Sequence, residues 1–139
     1  MYFSNMNKIE HIGIAVRNLE TSNQLFEKLL GVSPYKIEDV LSEGVKTSFF
    51  KTGPNKIELL EATNEDSPIA KFIKKKGEGM HHIAFEVDDI VSEMERLKEE
   101  GFIILNETPK KGADNKLVAF VHPKTANGVL VELCQEIKD

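Results

Sequence analysis

The chain has 139 residues, 40% of them hydrophobic and 29% charged, which suits one soluble compact domain with its own core. A formal net charge of −5 argues against a nucleic-acid surface, and no apolar run approaches the roughly 18–20 residues that span a bilayer. Cys134 is the only cysteine, so no internal disulfide can form, and a cytoplasmic setting is expected. Met1 to Asn7 does not read as a signal peptide, because no basic segment there leads into an apolar one. Met6 offers a second start.

Two modules of the same order are predicted. Module 1 runs over about 8–62. Its opening strand sets Ile12, Ile14 and Val16 on one face and His11, Gly13 and Ala15 on the other. Asn18 caps a helix whose apolar positions are Leu19, Phe26, Leu29 and Leu30, and Gly31 stops it. Strands are expected near Tyr35–Leu41, Val45–Lys51 and Lys56–Glu61, divided by Gly44 and by the Gly53-Pro54-Asn55 turn. A linker over 63–78 carries a helix capped by Ser67 and opened by Pro68, with Ile69, Phe72 and Ile73 as its apolar stripe. Lys74-Lys75-Lys76 closes that helix, where cations suit the negative end of the dipole.

Module 2 covers about 79–135. Ile83, Phe85 and Val87 share one strand face, and His82, Ala84 and Glu86 the other. Asp89 caps a helix with Ile90, Met94 and Leu97 at helical spacing, ended by Gly101. Strands follow near Phe102–Glu107, Lys116–His122 and Val129–Gln135. Both modules therefore read βαβββ. The expected fold is α+β: one domain over 1–139 in which the paired modules form a curved mixed sheet around a metal cleft.

The repeat carries chemistry. His11 and His82 lie 71 residues apart, each near the start of an apolar strand. Each module closes on a strand with a carboxylate among apolar residues, Glu58 in Lys56-Ile57-Glu58-Leu59-Leu60 and Glu132 in Val129-Leu130-Val131-Glu132-Leu133. The β-branched and aromatic face of each opening strand must pack on the helix. The histidines then fall on the opposite face, beside small residues that leave room. A carboxylate on a buried strand is costly unless paired or metal-bound. His11, Glu58, His82 and Glu132 are therefore the expected ligands of one metal ion. Two imidazoles and two carboxylates suit one divalent ion, with Co²⁺ or Mn²⁺ favoured and Ni²⁺, Fe²⁺ or Zn²⁺ also fitting, rather than the all-oxygen shells of Ca²⁺ and Mg²⁺. His81 falls on the opposite face from His82 and reads as structural or supporting. His122, at a turn, reads as touching substrate or solvent rather than metal. Cys134 reads as a small buried hydrophobe.

Paired βαβββ units with this ligand order resemble the vicinal oxygen chelate superfamily. Longer stretches narrow the resemblance: Asp66-Ser67-Pro68-Ile69-Ala70-Lys71-Phe72, Gly77-Glu78-Gly79-Met80-His81-His82-Ile83-Ala84, Glu86-Val87-Asp88-Asp89-Ile90, and His122-Pro123-Lys124 ahead of Asn127-Gly128-Val129-Leu130-Val131-Glu132-Leu133. These resemble the methylmalonyl-CoA epimerases over nearly everything from Asn7 to Gln135. The resemblance implies metal-assisted removal of the C2 proton, through an enolate, to interconvert the (2R) and (2S) thioesters. It places metal ligands at His11, Glu58, His82 and Glu132, with Glu132 also the catalytic group for one face. It further implies a small acyl-CoA partner and a homodimer, with no nucleic-acid or membrane partner. Thr47 stands where some members carry a Glu proposed as a second base. The CoA tail has Lys116, Lys124 and the lysine run as candidate contacts. The alternatives are a glyoxalase I-type lactoylglutathione lyase and a non-enzymatic small-molecule-binding protein of the same fold.

Overall fold

Strand β1 spans Met6–Ala15 and opens a run of eight strands and three α-helices among the described residues. The structure, a computed structural model, describes residues 4–138. Residues 1–3 and 139 lie outside the described residues, Met1 and the alternative start it represents among them. Helix α1 (Leu19–Leu30) follows, then β2 (Lys36–Val40), β3 (Val45–Thr52), β4 (Asn55–Ala62) and α2 (Pro68–Lys76). Next come β5 (Gly79–Val87), α3 (Ile90–Glu99), β6 (Lys110–Lys111), β7 (Lys116–Val121) and β8 (Val131–Glu136). No helix among the described residues is long and apolar enough to cross a membrane.

Two compact units divide the chain, one of residues 11–81 and one of residues 4–10 with 82–138. In the first, β4 pairs parallel with β1 and antiparallel with β3, which pairs antiparallel with β2. Helix α1 begins where expected. The Asn18 side chain accepts the Thr21 N–H, and the Glu61 carboxylate accepts the Leu19 N–H. Gly31, at φ 74°, ends it in the left-handed region where glycine carries no Cβ penalty. The helix lies against Val16, Phe50 and Leu59, with Ile14 and Ile57 packed beside them. That is the β-branched and aromatic face of the sheet, so alternation turns Glu58 to the other side. Gly44, at φ 63°, makes the tight entry to β3, where a Cβ would come within 3.0 Å of the Asn64 side chain.

In the second unit β8 pairs parallel with β5 and antiparallel with β7. Asp89 caps α3 by accepting the Ser92 N–H, and Ile90, Met94 and Leu97 bury against Val87, Ala119, Val121 and Leu133. The N-terminal segment is tied down here. Asp88 donates its N–H to the Asn5 carbonyl, the Asn7 amide donates to Asp88 at 2.8 Å, and Ser4 donates to Glu93. Glu93, 1% exposed, also accepts from Arg96 Nε at 2.6 Å, a bond that holds the Arg96 guanidinium above its ordinary pKa.

One expected element is replaced. The strand expected near Phe102–Glu107 does not form, and among the described residues the ladder on that side of β7 is the two-residue β6. Ile104 makes an isolated bridge to Val121, with single backbone bonds from Leu105 to Phe120 and from His122 to Ile103. The Asn106 side chain takes the Phe120 N–H at 2.8 Å, so a side chain stands where a strand carbonyl would continue the ladder. Pro109 has no N–H to add. The alternation itself survives, since Phe102 and Ile104 pack on the core while Ile103 and Leu105 face out.

Leu59 has no exposed surface in the cluster beneath Glu58. Leu59→Ala is expected to cost about 2–5 kcal/mol in urea unfolding. A loss well below that would show that this core does not brace β4.

Candidate metal centre

The opening strands place the two histidines alike. His11 is 5% exposed on β1 and His82 is 7% exposed on β5. In parallel register Gly13 stands beside Glu58, and Ala84 stands beside Glu132. A residue with little or no side chain at that position clears the space beside each carboxylate. The result is the same pair twice: His11 Nε2 lies 3.3 Å from Glu58 Oε1, and His82 Nε2 lies 3.3 Å from Glu132 Oε1. Both carboxylates are buried, Glu58 at 4% and Glu132 at 6%.

Phenylalanines that the sequence reading did not single out complete each pair. Phe49 on β3 stands directly across from Glu58, and Phe120 on β7 directly across from Glu132. Each meets its histidine ring edge-on, at 6.4 Å and 85° for His11 and at 6.3 Å and 88° for His82. This contact fixes the imidazole plane and keeps an apolar wall beside the polar pair. A signal was present, because Phe49 and Phe120 carry the same 71-residue offset as the histidines.

The donor set fits a metal. A separation of 3.3 Å is long for a charge-assisted N–H···O⁻ bond, ordinarily about 2.7–2.9 Å. It is close to the roughly 3 Å between neighbouring ligands of an ion held at about 2.0–2.2 Å. A neutral imidazole nitrogen and a carboxylate oxygen are suitable first-row donors.

The remaining candidates take other places. His81 stacks edge-on to Phe72 at 5.0 Å and so serves the packing of α2. His122 starts a 3₁₀ turn at Pro123–Thr125, where its Nδ1 accepts the Lys124 N–H at 3.0 Å. The lysine run occupies the last turn of α2, with Lys76 5.7 Å from the Phe72 ring centre. Lys116 is buried on β7, four residues before Phe120 and on the same strand face.

The profile of the Glyoxalase/Bleomycin resistance protein/Dioxygenase superfamily matches residues 10–120. An ethylmalonyl-CoA/methylmalonyl-CoA epimerase of Cereibacter sphaeroides is 42% identical over 132 residues, covering 94% of this chain and 98% of that protein. Methylmalonyl-CoA epimerase from Mycobacterium tuberculosis superposes with a TM-score of 0.94 at 30% identity, covering 99% of this chain and 93% of that one. The chain belongs to the methylmalonyl-CoA epimerase family. A methylmalonyl-CoA epimerase solved with methylmalonyl-CoA and ammonium superposes at a TM-score of 0.91 and 32% identity, over 94% of this chain and 95% of that one. Membership of the epimerase family bears out the α+β vicinal oxygen chelate fold expected from the βαβββ repeat.

Cys134 follows Glu132 by two residues on β8 and is fully buried with Ala84 and Val118. Its Sγ lies 3.5 Å from the Phe85 carbonyl. The thiol is expected to resist Ellman's reagent in the native protein and to react at the rate of unfolding. Rapid stoichiometric labelling under native conditions would contradict this packing.

Proposed function

We propose that this protein interconverts the (2R) and (2S) forms of methylmalonyl-CoA, and that His11, Glu58, His82 and Glu132 together hold one divalent metal ion. The repeated buried His–Glu pair carries the metal reading, because each pair offers two donors and a protein-bound transition ion commonly takes four. The substrate is supported by relatives named for it across nearly their whole length. A mixed nitrogen and oxygen set suits a first-row divalent ion, and Co²⁺ or Mn²⁺ is the ion we propose.

The substrate's C2 lies between a carboxylate and a thioester, and its proton is only moderately acidic. A divalent ion at this centre would supply electrostatic stabilisation of the negative charge that develops when that proton leaves. The Glu132 carboxylate accepts the proton from one face of C2. The C–H electron pair then moves into the thioester carbonyl and leaves the carbon planar. Return of a solvent-exchanged proton to the other face gives the epimer. Phe120 stands across from Glu132 and keeps an apolar wall beside the carboxylate.

Product formed in D₂O by the Co²⁺-loaded protein is therefore expected to carry deuterium at C2, detected by mass spectrometry or NMR. Glu132→Gln keeps an amide oxygen for coordination and removes the proton acceptor. It is expected to lose about 100-fold or more in turnover with a smaller loss of bound metal. Absence of C2 exchange in the wild-type protein would sink the epimerase reading. Methylglyoxal–glutathione turnover would then bring the lyase forward.

A further inference from the structure

Thr47 lies on β3 two residues before Phe49, directly across from Leu60 on β4. Strand alternation puts Thr47 and Phe49 on one face, and Phe49 faces Glu58 across the ladder. Thr47 is thus diagonal to Glu58 on the face that carries the His11–Glu58 pair, a spacing of about 7–8 Å between such residues. It has no exposed surface, and among the described residues its Oγ1 has no hydrogen-bond partner. Its neighbour Ser48 points to the helix side and donates to Asn23. The contrast is informative, because a buried hydroxyl left unpaired costs stability that its neighbour recovers.

The repeat shows that packing does not require this hydroxyl. The equivalent position on β7 is Val118, which stands across from Cys134 as Thr47 stands across from Leu60. A valine fills that place within a cluster of Ala84 and Cys134. Valine and threonine share a shape and differ in the hydroxyl. A group bound beside Glu58 on that face of the sheet would give the Thr47 hydroxyl a partner.

We infer that Thr47 donates its hydroxyl to the carboxylate of a malonyl-type thioester seated against His11 and Glu58. This rests on the acyl-CoA reading above. A hydroxyl is too weak an acid to exchange the C2 proton, so its part is to orient the carboxylate and to favour carboxylated over plain acyl-CoA esters.

The test uses malonyl-CoA and propionyl-CoA as paired probes, since only the first carries the carboxylate. Their affinities for the Co²⁺-loaded protein are measured by calorimetry, alongside thermal unfolding. Thr47→Val is expected to bind malonyl-CoA about 10- to 100-fold more weakly, to bind propionyl-CoA as the wild type does, and to unfold at a higher temperature. Thr47→Ser should retain malonyl-CoA binding. Unchanged malonyl-CoA affinity in Thr47→Val would overturn the inference. An equal loss for both esters would do so as well, because the contact would not be to the carboxylate. Should the wild-type protein fail to bind malonyl-CoA, this inference and the acyl-CoA reading fall together. Selective loss of malonyl-CoA binding in a protein that shows no C2 exchange would uphold the Thr47 contact and defeat the epimerase reading alone.

Discussion

A buried carboxylate on an apolar strand governs this structure, and the chain contains it twice. Placing an ionised carboxylate in a protein interior costs several kcal/mol, against a net stability of about 5–15 kcal/mol for a whole domain. Glu58 and Glu132 cannot both be left without compensation. Each therefore sits beside a histidine, next to a glycine or alanine and across from a phenylalanine. Apolar residues on either side of each carboxylate face the helix, and alternation directs the carboxylate to the other side.

The helices hold that arrangement in place. Helix α1 packs on Leu59 and Phe50, the immediate neighbours of Glu58 and Phe49. Helix α3 packs on Leu133, Ala119 and Val121, the immediate neighbours of Glu132 and Phe120. Because each strand's two faces are linked by single-residue alternation, a slip of one register would exchange core and site. Packing on one face is thus what fixes chemistry on the other. Apolar burial under each helix supplies the free energy that the polar pairs consume.

Much of this was legible in the sequence because it rests on local rules. Asn18, Ser67 and Asp89 cap their helices as their side chains and positions imply. The faces of β1 and β5 follow from period-two alternation, and both His–Glu pairs follow from those faces. The expected strand at Phe102–Glu107 did not form, because alternation records which side chains are buried and not whether the backbone pairs. There, Asn106 and Pro109 withdraw the backbone from the ladder. The roles of Phe49 and Phe120 depended on cross-strand register, which turn lengths and pairing decide and which a single strand's pattern does not encode. In the sequence Thr47 stands out only as a departure from the Glu that some family members carry. Its unpaired hydroxyl is a property of packing and becomes visible only when its neighbours are placed.

The epimerase family relationship and the repeated pairs bear on the one proposal that two half-sites of two donors each serve a single ion. Metal content of the purified, untagged protein after saturation and desalting, measured by plasma mass spectrometry, tests it most directly. One equivalent per chain is expected, and His11→Ala and His82→Ala should each bring retention close to zero, since either substitution breaks the same centre. Two equivalents in the wild type, or an ion kept by one half when the other is substituted, would contradict a shared centre.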